Sequence, residues 1–400
     1  MNAVGIDVSK GKSTIAVLRP FGEVVASPYD VSHTGSELKE LARFLKSLPG
    51  ETRVLMEYTG RYYEPIARYL HEAGIFVSVV NAILAHDYNG NSLRKVKTDK
   101  IDAVKLANMA IDRWLDLQEY VPEDDIRQTL KICNRQYNQY NKLKIMLKNN
   151  LIALLDQTFP DVNKLFHSPA RKIDGHEKWV DFALKFWHAE CVCGISRRQF
   201  KDKYERWCRK NGYYYNDDKA EIIYAQACGK VGSLPMCEST KVLIHQAILQ
   251  LQAIEETLTA MKHEMQRIAS SLPEYSTVMA LYGVGEVLGP QLMAEIGDVR
   301  RFKSKKSLIA FAGIDSPADQ SGQLDKKSKA ISKRGSASLR KTLFQVMSVI
   351  LQNSPEDEPV FTYLDKKRSE GKPYGVYMIA AANKFLRIYY ARTRQCFVNT

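Results

Sequence analysis

The chain has 400 residues, 45% of them hydrophobic, and a formal charge of +13 at pH 7. That length supports two or three domains with real cores, and that hydrophobic share excludes an intrinsically disordered chain. No stretch approaches ~18 consecutive apolar residues, so no membrane span is expected.

The opening Met1-Asn2-Ala3-Val4-Gly5-Ile6-Asp7 lacks a basic segment followed by an apolar one, so no secretory leader is expected. Seven scattered cysteines then read as reduced thiols, which points to the cytoplasm. The excess of positive charge favours a polyanionic partner, most simply nucleic acid.

In chain order, residues 3–8, 13–18 and 21–27 are short β-type runs with turn-like links, the pattern of an antiparallel meander. Leu38, Leu41, Ala42, Leu45 and Leu48 follow at helical spacing, with Thr34 and Ser36 as cap candidates. Residues 53–57 read as a buried strand, 62–73 as a helix and 75–80 as a strand. Lys97-Thr98-Asp99-Lys100-Ile101-Asp102-Ala103 then opens an amphipathic helix for which Thr98 is the N-cap candidate. The order β-β-β-α-β-α-β-α predicts an α/β ribonuclease H-like fold.

That order puts Asp7 at the end of the first, central strand and Glu57 at the end of the strand beside it. Asp99 and Asp102 lie three apart, so they share a helix face at the first turn, where the helix dipole favours their ionised forms. Two carboxylates at that spacing repel unless a cation sits between them, and Mg²⁺ takes carboxylate oxygens. A lone acid at a strand end is usually solvated, so the weight rests on the set. Four acids from three elements can hold two Mg²⁺, which clamp the attacking and leaving oxygens of a phosphodiester. Arg94, Lys95, Lys97, Lys100 and Lys105 around them suit either phosphate contact or plain solubility.

From Pro122 the texture changes. Ile126, Leu130, Cys133, Tyr137, Tyr140, Lys144, Leu147, Leu151 and Leu154 lie mostly at alternating four- and three-residue steps. Ile244, Ala247, Leu251, Ile254, Leu258, Met261, Met265, Ile268 and Leu272 repeat the pattern more cleanly. Both predict long helices with a coiled-coil seam, forming an antiparallel arm or a dimer contact. Between them, roughly 160–240, lies an aromatic and cysteine-rich insert. Its aromatics, Trp179, Phe182, Phe186, Trp187, Tyr204, Trp207, Tyr213, Tyr214 and Tyr215, mixed with Lys and Arg, read mostly as the core of a small helical subdomain, with stacking on single-stranded nucleic acid as the alternative. His188, Cys191, Cys193 and Cys208 do not have the spacing of paired zinc ligands.

The part from 273 onward reads as mainly helical. Gly283 and Gly285, in Tyr282-Gly283-Val284-Gly285 between helix patterns, have the look of a helix–hairpin–helix turn whose backbone N–H groups meet a DNA phosphate. From Lys326 to Lys341 there are seven bases and no acid: Lys326, Lys327, Lys329, Lys333, Arg334, Arg340 and Lys341. That charge marks a nucleic-acid face. Ser321, before a glycine in an expected loop, reads from its chemistry alone as an ordinary turn residue.

Taken together, the motifs resemble a family. Gly5-Ile6-Asp7-Val8-Ser9-Lys10, Met56-Glu57-Tyr58-Thr59-Gly60 and the Asp99–Asp102 stretch match its first part. Gly283-Val284-Gly285, Glu295-Ile296-Gly297-Asp298, Ala312-Gly313-Ile314, Gln320-Ser321-Gly322 and Ile331-Ser332-Lys333-Arg334-Gly335 match its last. The resemblance is to bacterial insertion-sequence transposases that join a RuvC-like DEDD domain to a serine-bearing domain, described as bridge-RNA-guided recombinases.

It implies that Asp7, Glu57, Asp99 and Asp102 bind Mg²⁺ and that Ser321 is the nucleophile, forming a phosphoserine link to DNA. It implies donor and target DNA, an element-encoded guide RNA and a homo-oligomer, dimer or tetramer, as partners. The expected domains are 1–115, 116–272 and 273–400. Asp315-Ser316-Pro317 and Gly335-Ser336 depart from the family pattern, in which the second usually reads Gly-Asn.

Three other readings compete. A metal-only nuclease of the Holliday-junction resolvase type would use the four acids and leave the serine domain unexplained. A sugar-kinase or actin-like ATPase would need a second phosphate loop. A decayed, non-enzymatic derivative would not be expected to keep all four acids and Ser321.

Overall fold

A computed structural model describes the backbone of all residues except 59, 90–97, 172–174, 317–319, 322–323, 326–329 and 399–400. The chain divides into two compact units, Met1–Pro122 and Glu123–Thr400. Among the described residues no helix is long and apolar enough to cross a membrane.

The first unit is a mixed five-stranded sheet with helices on both faces, consistent with the ribonuclease H-like expectation. Its strands are β1 (Asn2–Val8), β2 (Lys12–Arg19), β3 (Glu23–Ser32), β4 (Thr52–Glu57) and β5 (Phe76–Val80), in the order β3-β2-β1-β4-β5. β1 pairs antiparallel with β2 and parallel with β4. Val4, Ile6, Val54 and Met56 face α1 (Gly35–Ser47) and α2 (Tyr63–Glu72). Ala3 and Leu55, at the alternate positions, face α4 (Asp99–Asp112), which follows α3 (Ala82–Asn89). Because both faces are covered, β1 is an almost unbroken apolar run rather than an alternating one.

Two expectations need correction here. Phe21 does not start the third strand; it sits fully exposed in the turn Pro20–Gly22, with φ at 67°. The strand instead runs on past Pro28 to Ser32, through residues that the alternation had not included. The helix α3 was not anticipated at all.

Among its described residues, the second unit is helical apart from one short hairpin. Two long helices, α5 (Asp125–Leu155) and α10 (Glu238–Ser270), form its spine. They pack antiparallel: Lys144 meets Glu255 at 2.8 Å, while Arg127 near the start of α5 meets Glu274 just past the end of α10. A core lies at each end of the spine.

One core takes the last turns of α5, the first half of α10 and the insert helices α6 (Lys178–Lys185), α7 (Glu190–Cys193), α8 (Arg197–Lys210) and α9 (Asp217–Gly229). Trp179, Phe182, Phe186, Trp187, Tyr204 and Trp207 are buried there, so these aromatics are core side chains. The other core gathers α11 (Tyr275–Met279), α12 (Leu288–Ile296), α13 (Lys305–Ala312), α14 (Ala337–Asn353), α15 (Pro359–Ser369) and α16 (Tyr374–Cys396). Between α13 and α14, β6 (Gln320–Ser321) pairs with β7 (Leu324–Asp325).

The second heptad-like series lies along buried or half-buried positions of α10, as expected. The first is shifted by one residue at its start: Ile126 is exposed and Arg127 is buried. A hydrophobic count cannot see that displacement, because a buried ion pair holds the position.

Candidate active site

β1 and β4 run in parallel register from Asn2 opposite Thr52 to Ile6 opposite Met56. One step further, Asp7 and Glu57 stand at the same edge of two adjacent strands. By the alternation of the pleat they face the same way as Gly5 and Leu55, toward α4. Both are half-buried.

What brings α4 to that edge is Gly5. A Cβ on this glycine would lie 2.0 Å from the Ala103 carbonyl oxygen and 2.3 Å from the Ala107 nitrogen. Only a residue without a side chain lets the helix backbone rest directly on the strand. Ala103 and Ala107, both fully buried, keep the opposing surface flat. Further along α4, Leu106, Met109 and Ala110 pack with Ala3 and Leu55. The helix therefore runs opposite to β1, and its first turn lies at the Asp7 end.

That turn is capped as expected: Thr98 Oγ1 accepts from the Ile101 N–H at 3.3 Å. Asp99 is exposed and Asp102 half-buried, with Lys105 Nζ 3.4 Å from Asp102 Oδ1. Asp99 is near enough to act electrostatically on Lys12, and Lys100 on Asp30, which places the turn over the start of β2 as well. Arg94, Lys95 and Lys97 lie outside the described residues.

Sequence reasoning missed Asp30. Asp7 pairs with Thr14, and Thr14 with Asp30, so the three form one row on the α4 side of the sheet. Thr14 Oγ1 donates to Asp30 Oδ1 at 2.7 Å and Lys12 Nζ to Oδ2 at 2.8 Å. The Lys12 hydrogen bond, then that of Thr14, holds the Asp30 carboxyl below its usual range. Pro28 had cut the strand pattern short before Asp30 was reached.

An all-carboxylate set is the right donor chemistry for a hard divalent cation. The fold carries the four acids to one sheet edge. Among the described residues, however, no three His, Cys, Asp or Glu side chains are drawn into a closed group that could hold a metal. A cation at this edge would draw the carboxylates inward against their mutual repulsion.

In the second unit, Ser321 is the last residue of β6 and pairs with Leu324 across a tight hairpin. The stems on either side of it are clasped together. The Ser332 N–H donates to the Asp315 carbonyl at 2.8 Å and its hydroxyl to Asp315 Oδ1 at 2.5 Å. The Lys333 N–H reaches the Gly313 carbonyl at 3.1 Å, and the Ser336 N–H reaches that of Phe311 at 2.7 Å. Arg340 Nη1 donates to the Ala312 and Gly335 carbonyls at 3.0 and 3.2 Å.

Ser336 also caps α14, accepting from Leu339 N–H at 3.1 Å, and donates to Glu295 Oε2 at 3.2 Å. Glu295 is buried, and its other oxygen accepts from Asn134 Nδ2 at 2.8 Å. Both departures from the family pattern, Asp315 and Ser336, thus stand in the clasp itself.

The basic run divides. Lys326, Lys327 and Lys329 lie outside the described residues. Lys333 and Arg334 are exposed, Arg340 spends its fork on carbonyls, and Lys341 Nζ donates to Asn138 Oδ1 at 3.1 Å. Gly283 has a structural need for glycine: its φ is 77° and a Cβ would fall 2.8 Å from Ile350 Cγ1. Gly285 is exposed with open space around it. His188, weighed above as a metal ligand, uses both ring nitrogens on the backbone, at Leu234 O and Glu190 N–H.

Comparison with known proteins finds matches toward both ends of the chain. Residues 4–160 match a family of transposases of the DEDD IS110 type. Residues 275–360 match a second one, described as the transposase IS116/IS110/IS902 family. The chain is similar to the pilin gene-inverting protein of Moraxella bovis and to that of Moraxella lacunata. Each is 20% identical over 347 residues, covering 86% of this chain and 80% of the relative. With both transposase regions present in order, the chain belongs to the IS110 family of transposases, enzymes of DNA transesterification.

Proposed function

We propose that this transposase cuts and rejoins DNA through Ser321, assisted by a divalent-metal site at Asp7, Glu57, Asp99 and Asp102, under the guidance of an RNA encoded by its element. One observation carries the reading: Gly5 seats α4 on β1 with its acidic first turn at the strand end that holds Asp7 and Glu57. The serine hairpin supplies what four acids alone leave unexplained.

Ser321 Oγ attacks a backbone phosphorus; the new Oγ–P bond forms as the bond to the leaving deoxyribose oxygen breaks. The hydroxyl proton passes to a base or to water, and the leaving oxygen takes one up. A second strand's hydroxyl then displaces Ser321 in the reverse sense, so the number of phosphodiester bonds is conserved without ATP. Bound Mg²⁺, two ions in this reading, would favour deprotonation of the nucleophile and offset the charge of the phosphorane. The four acids hold that charge in place. Lys333 and Arg334, exposed beside the clasp, and Gly283 and Gly285 are the expected backbone-phosphate contacts.

In this scheme the guide RNA pairs with donor and target DNA, so base pairing reads sequence and the protein reads shape. A homo-oligomer, a dimer or the tetramer of a synaptic complex, would bring the serine of one domain to the acids of another. The name of the two Moraxella relatives, a protein that inverts a gene, fits a recombinase.

Incubating the protein with labelled element-end DNA and Mg²⁺, then denaturing it, tests the serine. Ser321→Ala should bind DNA normally and form no covalent adduct. Adducts that persist would remove Ser321 from its role, and cleavage without any adduct in the unsubstituted protein would favour the metal-only nuclease.

A further inference from the structure

Neither family match covers the insert, yet it carries a large basic cleft. The cleft has a volume of about 1130 Å³ and lies among α6, α7, α8 and the chain leading into α10. Among the described residues five cations line it, against two acids, Asp181 and Glu190.

Asp181 is already committed. It accepts from Tyr213 Oη at 2.6 Å and Gln252 Nε2 at 3.3 Å, and sits 3.5 Å from Arg171 and 3.3 Å from His176. Phe186 and Trp207 form an apolar wall.

Among the described residues, the ion-paired cations of α8 all lie off the cleft. On the faces turned away from the cleft, Lys201 is paired with Asp217 and Glu221, Arg197 with Glu221 and Arg209 with Glu205. Lys203, Arg206 and Lys210 line the cleft, are exposed, and have no ion-pair partner among the described residues. Lys185 adds a fourth positive charge from the end of α6. Spaced three and four apart, the three on α8 form one row of like charges, an arrangement that destabilises a helix. The fold does not relieve it, although acids pair with Arg197, Lys201 and Arg209 of the same helix.

We infer that this cleft is a binding site for the phosphodiester backbone of a nucleic-acid strand. Three charges spread over eight residues, seven helical steps, span about 10 Å of helix. That matches successive phosphates of a strand better than the single compact phosphate of a mononucleotide. The inference goes beyond the proposed recombination chemistry and does not depend on Ser321 or on the acids.

The test uses the full chain and two triple variants that remove the same charge from the same helix. Lys203→Gln, Arg206→Gln and Lys210→Gln empty the cleft; Arg197→Gln, Arg198→Gln and Arg209→Gln serve as the control. Binding of fluorescently labelled 20-nucleotide single-stranded RNA and DNA is followed by anisotropy over a salt series.

The cleft triple should weaken binding at least tenfold and lower the slope of log K against log salt by about 2, as expected for three lost contacts at about 0.7 each. The control should move the slope by less than half as much, and neither triple should lower the melting temperature. A loss confined to the RNA probe assigns the cleft to RNA, a loss confined to DNA assigns it to DNA, and both outcomes uphold the site. Equal effects of the two triples, or none from the cleft triple, would overturn it. Failure of the unsubstituted protein to bind either probe would count against nucleic-acid handling as a whole, a result distinct from loss of this one site.

Discussion

At the scale of single residues, the smallest side chain in the first unit does the most to shape the candidate site. Gly5 is required because backbone, not a yielding side chain, occupies the space a Cβ would take. Gly5→Ala should therefore lift α4 from β1. We expect a loss of about 3 kcal/mol, at the upper end for overpacking, read from a urea denaturation midpoint, together with loss of metal-dependent strand cleavage. Normal stability would mean that the helix is not seated as described. Asp102→Asn tests the acid set directly. It should leave folding intact and reduce Mg²⁺-dependent cleavage at least a hundredfold, about 2.7 kcal/mol in barrier height; unchanged cleavage would remove Asp102 from the metal site.

At the scale of elements, the polar groups buried along the helical spine explain what hydrophobic periodicity missed. Arg127 Nη2 donates to Glu274 Oε2 at 2.9 Å while Nη1 meets the other oxygen, and both residues are 3% exposed. Arg127→Ala leaves a buried carboxylate without its partner and should cost about 3–5 kcal/mol. Arg127→Met with Glu274→Leu should recover most of that loss, because the cost arises from the orphaned charge. A double variant as unstable as the single one would show that the pair contributes more than mutual compensation.

Lys144, the one polar member of the first helical series, has its reason in Glu255 across the spine. Burial pushes the Glu255 carboxyl up from its usual range, against the pull of Lys144. The folded state thus holds this proton to higher pH than the unfolded state does. Ionising Glu255 therefore subtracts stability as pH rises from the ordinary glutamate value through the raised one. Glu255→Gln should gain on the unsubstituted protein as pH rises above the ordinary glutamate value of about 4.3. A gap in denaturation midpoint that narrows with rising pH would show that Lys144 outweighs burial.

At the scale of the whole molecule, the sheet order, the acids at its edge and the two long helices were legible because each rests on local pattern. Asp7 and Glu57 end apolar runs, and Thr98 precedes an amphipathic stretch. What stayed hidden depends on contacts distant in sequence. The Gly5 seat joins residues about a hundred positions apart, and Asp30 lies past a proline that ends the alternation. The clasp around Ser321 joins Asp315 to Ser332 and Ser336 to Glu295. Asp315 and Ser336, which break the family pattern in sequence, are hydrogen-bonding members of that clasp, and no periodicity could have paired them.

The most direct measurement is chemical. The protein would be reacted with element-end DNA and Mg²⁺, digested with nuclease and protease, and its peptides searched by mass spectrometry for a nucleotide remnant. A remnant on Ser321, absent when Mg²⁺ is chelated and absent from Asp102→Asn, is the predicted result. A remnant on another residue, or efficient strand exchange with none at all, would contradict the serine mechanism.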